Sequence, residues 1–308
     1  MVYDLIIIGG GPAGVAAGVY AARKKLKTLI ATYSFDGQSV VSPGIENWIG
    51  TPNISGTDLS KALKAHLDIY RGENLMIKEG VRVTKVEKID SGFRVNTDDG
   101  QFYEAKAVLV TTGSKRRKLT IPGAAEYENK GITYCASCDG PLFAGKEVVV
   151  IGGGNAGFET AGQLLAYCPS VTLIEKLPQF RADQVTIDKL QQNPKFKALA
   201  NTDLLEIRGD KFVSGMIIKN LTTGETKELP GQGVFVEIGH LPATSFVKDL
   251  VDTTPVGSIK VDPRDQKTSK EGIWAAGDCT DGLYHQNNIA AGDAIKALED
   301  IYNYLNLK

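Results

Sequence analysis

Residues 3–8 form a short, nearly unbroken apolar run, the pattern of a parallel strand buried on both faces. Glycines follow, and residues 13–24 then carry small apolar side chains at helical spacing, which predicts a helix packed closely on that strand. Residues 26–32 predict the next strand. The same order of strand, glycine turn, helix and strand returns at residues 147–151, 152–157, 158–166 and 171–174. This is a repeat of a folding unit, with none of the short period of a solenoid.

Between the two copies, residues 81–88, 92–97 and 101–104 alternate apolar and polar positions like a meander, with Asp99-Gly100 as a turn signal. A similar ribbon is predicted over residues 204–227. Two segments read as crossings between domains: Thr111-Thr112-Gly113-Ser114, after the apolar run 107–110, and Ile238-Gly239-His240-Leu241-Pro242. Beyond the second crossing, residues 272–276 predict a last short strand, Gly277-Asp278 a turn and residues 290–304 a closing helix that belongs with the N-terminal half. The expected fold class is α/β, with two Rossmann-like, three-layer dinucleotide-binding domains, one inserted into the other. Their expected extents are residues 1–114 with 243–308, and residues 115–242.

Composition narrows the function. A chain of 308 residues suits two cores of ordinary size. Its 35 basic and 36 acidic residues are interspersed and leave a net charge of −1, so it lacks the basic field of a nucleic-acid-binding protein. No apolar run approaches the roughly 20 residues that span a bilayer, and the first run ends in glycines, unlike a signal peptide. Four cysteines in so long a chain do not make a disulfide scaffold. That usage fits a reducing, cytoplasmic setting in which any disulfide is catalytic.

The glycine turns carry the first candidate chemistry. Gly9-Gly10-Gly11-Pro12-Ala13-Gly14 and Gly152-Gly153-Gly154-Asn155-Ala156-Gly157 each follow a strand and open a helix. Such a turn lets a pyrophosphate approach backbone N–H groups at a helix N-terminus, where the helix dipole favours negative charge. Near the end of the second strand of such a unit a carboxylate favours the ribose hydroxyls of NAD, whereas arginines accommodate the 2′-phosphate of NADP. Glu175 stands at that place in the second unit with Lys176 beside it, so NADH is expected in preference to NADPH. The alternative for Glu175 is an exposed strand-end acid paired with Lys176. In the first unit the matching stretch has no acid, and Asp36 comes late.

Cys135-Ala136-Ser137-Cys138 is the second candidate. A CxxC can be half of a zinc site, a redox dithiol or a coincidence. There is no second CxxC, Cys168 and Cys279 are isolated, and His66, His240 and His285 show no ligand spacing. No metal is expected, and a redox pair remains, with Asp139 as an acid to move protons or as an ordinary turn aspartate before Gly140. Cys168 is read as a structural thiol, and His285 as a packing or cofactor-edge residue and not a base.

Together these residues resemble the low-molecular-weight thioredoxin reductases and the matching C-terminal part of the alkyl hydroperoxide reductase flavoprotein. The resemblance spans essentially the whole chain and rests also on Gly37-Gln38, Glu46-Asn47-Trp48, Thr112-Gly113 and Ala276-Gly277-Asp278. It implies FAD in the discontinuous domain, a nicotinamide nucleotide in the inserted one, and a homodimer. Gly9, Gly11, Pro12, Ala13 and Gly14 would cradle the FAD pyrophosphate, Asp278 would lie near the ribityl chain, and Gln38, Asn47 and Gln286 near the flavin. Gly152, Gly154, Asn155, Ala156 and Gly157 would hold the nicotinamide nucleotide. By the same resemblance Cys138 faces the flavin, Cys135 attacks the partner disulfide and Asp139 is the acid and base.

Where NADPH-dependent members carry HRRxxxR, this chain reads Glu175-Lys176-Leu177-Pro178-Gln179-Phe180-Arg181, and Ser34 stands where relatives place a glutamate near the FAD ribose. The chain begins at the flavin fingerprint, so its carrier is expected to be a separate protein. The expected activity is electron transfer from NADH through FAD and the Cys135/Cys138 dithiol to a thioredoxin- or glutaredoxin-like protein, with domain rotation about hinges near Gly113 and Gly239. The alternatives are an NADH oxidase or peroxiredoxin-linked reductase, a ferredoxin- or flavin-dependent reductase, and a redox sensor without turnover.

Overall fold

The computed structural model describes residues 2–42 and 44–306. The chain forms two compact units, Met1–Lys115 with His240–Lys308, and Arg116–Gly239. The first part of the chain runs β1 (Val2–Ile8), α1 (Pro12–Arg23), β2 (Thr28–Thr32), α2 (Gly56–Asp68), β3 (Leu75–Glu79), β4 (Val83–Ile89), β5 (Gly92–Thr97), β6 (Phe102–Val110) and β7 (Ser114–Arg116). Then come β8 (Ile132–Thr133), α3 (Ala136–Asp139), β9 (Glu147–Ile151), α4 (Asn155–Leu164), β10 (Ser170–Ile174), α5 (Gln184–Gln191) and β11 (Phe196–Leu199). The second unit finishes with β12 (Thr202–Gly209), β13 (Val213–Asn220), β14 (Thr226–Pro230) and β15 (Gly233–Val236). The chain returns through β16 (His240–Pro242) and β17 (Ile273–Ala275) to end in α6 (Asn287–Asn306).

The larger sheet has the order β3-β2-β1-β6-β5-β4, with β17 also paired to β6. β1, β2, β3, β6 and β17 are parallel, and β4 and β5 make the antiparallel meander. Alternation along β1 divides its side chains between two cores. Leu5 and Ile7 join Val15, Leu298 and Ile301 under α1 and α6, while Ile6 and Ile8 join Phe93, Val247 and Ile259 on the other face. The helix lies close enough that a Cβ at Gly18 would stand 2.6 Å from Ile30 Cδ1, which explains the small residues read in that segment.

In the second unit the order β11-β10-β9-β15-β8 is parallel throughout. Val148 and Val150 pack with Phe158 and Leu164 of α4, whereas Val149 and Ile151 face Met216 and Ile218 of the antiparallel β12-β13-β14 sheet. Each unit is thus an α/β layered fold, around a mixed sheet with a parallel core in the first and around a wholly parallel sheet in the second.

Several boundaries differ from the sequence reading for identifiable reasons. The segments read as 101–104 and 107–110 are one strand, β6, whose exposed start pairs with β5 and whose buried end runs beside β1 and β17. α1 opens at Pro12, which suits the first helical position because it needs no N–H there. The ribbon read over 204–227 is three strands extending to Pro230. The two units divide between Gly239 and His240, inside the segment read as the second crossing; Ala243 N–H donates to Gly113 O and Arg117 N–H to Gly239 O, each within its own unit.

Candidate functional site

In the first unit the glycine turn lies between the ends of β1 and α1. Gly9 has φ of +119°, a conformation that L side chains rarely adopt. Gly14 packs beneath it, where a Cβ would come within 2.0 Å of Gly9 O. Thr111 at the end of β6 ties the turn down, its Oγ1 donating to Ile8 O at 2.9 Å. Gly11, the residue just before the helix, is different: a Cβ there would meet no protein atom within 4 Å. That open face at a helix N-terminus, free of any acidic side chain in the first turn, fits a phosphate-bearing ligand.

The turn opens on a cavity of about 540 Å³. Gly9, Gly11, Pro12, Ala13, Gly37, Gln38, Thr112, Gly113, Gly277 and Asp278 all line it. Gln38 Nε2 donates to Asp278 Oδ2 and to Ser114 Oγ, both at 3.2 Å, bringing three distant chain segments to one wall. Asp278 Oδ1 lies 3.4 Å from His285 Nδ1, and the His285 ring meets that of His240 edge-on at 4.9 Å. Asn47 Nδ2 donates to Gln286 Oε1 at 3.1 Å; these two join each other but are not part of the cavity wall. The sequence reading missed Tyr33 and Arg82, which line the same cavity with the guanidinium 3.6 Å from the ring centroid. Tyr33 follows β2 directly and was findable by position, whereas Arg82 gave no local signal.

The second unit repeats the turn. Gly152 has φ of +121°, Gly157 packs beneath it against Gly152 O, and a Cβ at Gly154 would meet nothing within 4 Å. Glu175 is buried, with 9% of its surface exposed. Its Oε2 accepts the Gly153 N–H at 2.7 Å and its Oε1 the Leu177 N–H at 2.9 Å. The reading of Glu175 as an exposed acid paired with Lys176 is therefore replaced: Lys176 turns to Asp203 at 2.7 Å, and backbone N–H groups hold the glutamate against the turn. Asn155 Oδ1 accepts the Asp183 N–H, and Arg181 N–H donates to Gly153 O at 2.8 Å, so this arginine is anchored at the turn by its backbone.

Cys135 and Cys138 are joined in a disulfide, with Cα atoms 5.3 Å apart, at the start of the one-turn helix α3. Cys138 N–H donates to Cys135 Sγ at 3.2 Å. Asp139 Oδ2 accepts from Thr133 Oγ1, and its Oδ1 is buried without a partner. Burial raises the Asp139 carboxyl above the usual carboxylate range, opposed by the Thr133 hydrogen bond and the Arg116 charge. Cys168 and Cys279 are buried free thiols; burial pushes Cys279 up to about 11 and raises Cys168 as well. Among the described residues no group of three or more His, Cys, Asp or Glu side chains is arranged to hold a metal ion, and no helix is long and apolar enough to cross a membrane.

Two glycine cradles and a CxxC disulfide define a class, and comparison with known proteins agrees. The sequence profile of the pyridine nucleotide-disulphide oxidoreductases matches residues 3–294. The chain belongs to that family. It is 39% identical over 303 residues to the F component of the alkyl hydroperoxide reductase of Staphylococcus aureus (strain MRSA252), covering 98% of this chain and 59% of that one. It is 38% identical to an NADH dehydrogenase of Bacillus subtilis (strain 168), covering 98% and 58%. The chain thus spans about three-fifths of the length of these curated relatives. Two solved structures match over nearly their full length. The thioredoxin reductase of Streptococcus pyogenes MGAS5005 has a TM-score of 0.90 at 35% identity, covering 100% of this chain and 99% of that one. The thioredoxin reductase of Giardia duodenalis has a TM-score of 0.92 at 32% identity, covering 99% of each.

Proposed function

We propose that this chain takes electrons from NADH and delivers them through the Cys135–Cys138 pair to the disulfide of a thioredoxin- or glutaredoxin-like protein. The observation that carries this reading is the disulfide beside a partly buried, half-satisfied acid in the same unit as the Glu175-braced glycine turn. The open Gly11 and Gly154 positions fit the phosphates of FAD and of the nicotinamide nucleotide respectively. FAD, when bound, would supply the carrier that links a two-electron nicotinamide donor to a disulfide. Each Glu175 oxygen accepts one backbone hydrogen bond and keeps a lone pair for a ribose hydroxyl. A 2′-phosphate would instead meet a buried carboxylate, which is the basis for choosing NADH over NADPH.

Once the pair is reduced, the Cys135 thiolate attacks one sulfur of the partner disulfide. That bond breaks, a mixed disulfide forms, and the departing partner thiolate takes the Asp139 proton. The Cys138 thiolate then attacks Cys135 Sγ, closing the internal disulfide and releasing the second partner thiolate. The Cys138 N–H, which donates to Cys135 Sγ at 3.2 Å, is placed to hydrogen-bond a thiolate there.

The names of the curated relatives favour a second acceptor, a peroxide-reducing partner protein, reached by the same dithiol. Anaerobic titration with NADH and, separately, NADPH tests the donor: NADH should bleach the flavin at lower concentration and about two equivalents should be consumed, one for FAD and one for the dithiol. Turnover with a thioredoxin and with a peroxiredoxin as sole acceptor then separates the two partner classes. A flavin that neither nucleotide bleaches would overturn the reading.

A further inference from the structure

Glu237 is an acid that the dithiol chemistry does not call upon, and it stands against the second glycine turn. Ile174, Ile151 and Val236 lie in register at the ends of β10, β9 and β15. The residues that follow them are Glu175, Gly152 and Glu237. Backbone contacts join the three strand ends: Gly152 N–H donates to Ile174 O at 2.9 Å and Glu237 N–H to Ile151 O at 2.8 Å. A Cβ on Gly152 would come within 2.3 Å of Glu237 O. The turn is thus flanked by one acid on each side, each following a strand of the same parallel sheet.

The Glu237 side chain is held by the helix that the turn opens. Its Oε1 accepts from Thr160 Oγ1 of α4 at 2.8 Å, which fixes the carboxylate on the α4 side of the sheet. Its Oε2 lies 3.9 Å from Arg116 Nη1, beyond hydrogen-bond reach. The carboxylate therefore keeps acceptor capacity, and with 14% of the side chain exposed a ligand can reach it.

Strand order assigns that ligand's two halves. In the sheet β11-β10-β9-β15-β8 the chain passes from β9 to β10 on one side and comes back to β15 on the other. A dinucleotide binds outside the carboxyl ends of such strands, across the point where their order reverses. With the pyrophosphate at the turn and the adenosine half over β10, where Glu175 stands, the nicotinamide half falls to β15, where Glu237 stands. The next strand, β8, leads into Cys135, so in strand order Glu237 comes between the turn and the dithiol.

We propose that Glu237 is a binding residue for the nicotinamide half of the nucleotide, its carboxylate accepting a hydrogen bond from a donor on that half, a ribose hydroxyl or the carboxamide amine. The proposal rests on the reading of the second glycine turn as the nicotinamide-nucleotide site. Glu237 orients the ligand and takes no part in proton or electron transfer.

Calorimetric titration of the FAD-loaded, oxidised protein tests this with three ligands: ADP, ADP-ribose and a tetrahydronicotinamide analogue of NADH, which keeps the carboxamide but cannot give up hydride. Glu237→Ala should leave ADP affinity unchanged and weaken the analogue about tenfold, the scale of one charged hydrogen bond. Glu237→Gln keeps the size and a carbonyl acceptor and should recover part of that loss. ADP-ribose separates the two donors: a loss equal to the analogue's assigns the ribose hydroxyl, and an unchanged affinity assigns the carboxamide. Glu175→Gln should instead weaken all three ligands alike, because each carries the adenosine ribose. An analogue affinity unmoved by Glu237→Ala, or a loss that ADP shares in full, would overturn the proposal. A native protein that binds none of the three would remove the nucleotide site itself, so the two failures are separable.

Discussion

At the scale of single residues, environment separates side chains that the sequence presents as equals. All four cysteines are alike in the sequence, yet two are bonded at a helix start and two are sealed in the core. Iodoacetamide treatment of the dithiothreitol-reduced protein should modify Cys135 and Cys138 within minutes and leave Cys168 and Cys279 untouched until unfolding, as read by peptide mass spectrometry. Asp139 carries a pH signature. Its folded pKa is raised by burial, so over the interval between the ordinary value near 4 and the raised one the native state holds more protons than the unfolded state. Its contribution to stability therefore falls as pH rises through that interval. Asp139→Asn should gain in Tm relative to the native protein as pH rises from about 4 toward the raised value while losing disulfide turnover; a difference that is flat with pH would argue that folding leaves the Asp139 pKa unshifted. Glu175→Gln should weaken NADH binding by roughly tenfold, the scale of one charged hydrogen bond, and should narrow the gap to NADPH in a fluorescence titration.

At the scale of the element, the strand–turn–helix unit assigns different work to each glycine in one motif. Gly14 is filled from below, and an added methyl would overlap Gly9 O; Gly11 faces open space. Gly14→Ala should lower the Tm of the FAD-free protein, with overpacking costing about 1–3 kcal/mol. Gly11→Ala should leave that Tm unchanged but weaken FAD retention, measured by flavin release on dilution. The elements with the sharpest sequence signals were the buried parallel strands and the helices after the glycine turns. By contrast α2, β3, α5 and β11 were not anticipated, although β3 and β11 each add a parallel edge strand to one of the two larger sheets. α2 does carry a readable start, Ser55 Oγ accepting the Asp58 N–H at 3.0 Å. Its face toward the core is narrow, with Gly56, Leu59 and Leu67 its buried residues, so hydrophobic spacing alone does not reveal it.

At the scale of the whole molecule, electron uptake counts the redox groups. Replacing both Cys135 and Cys138 by serine should reduce NADH consumption in the anaerobic titration from about two equivalents per flavin to about one. Uptake that stays at two would place the second electron pair elsewhere. The homodimer implied by the resemblance predicts a light-scattering mass of twice the 33.1 kDa of one chain.

Local pattern sufficed for the two glycine turns, the parallel strands that precede them and the CxxC, because each is written in consecutive residues whose spacing has a direct backbone meaning. Contacts across long stretches of chain were settled only by folding. Gln38 meets Asp278, Tyr33 meets Arg82, and Arg116 stands near Glu237. Glu175 was visible as an acid at the right place, but its bracing by the Gly153 and Leu177 N–H groups depended on how tightly β10 returns to the turn. Burial has the same character: an aspartate beside a cysteine reads as polar surface until Thr133 and the sheet close over it, and desolvation then decides what proton it holds.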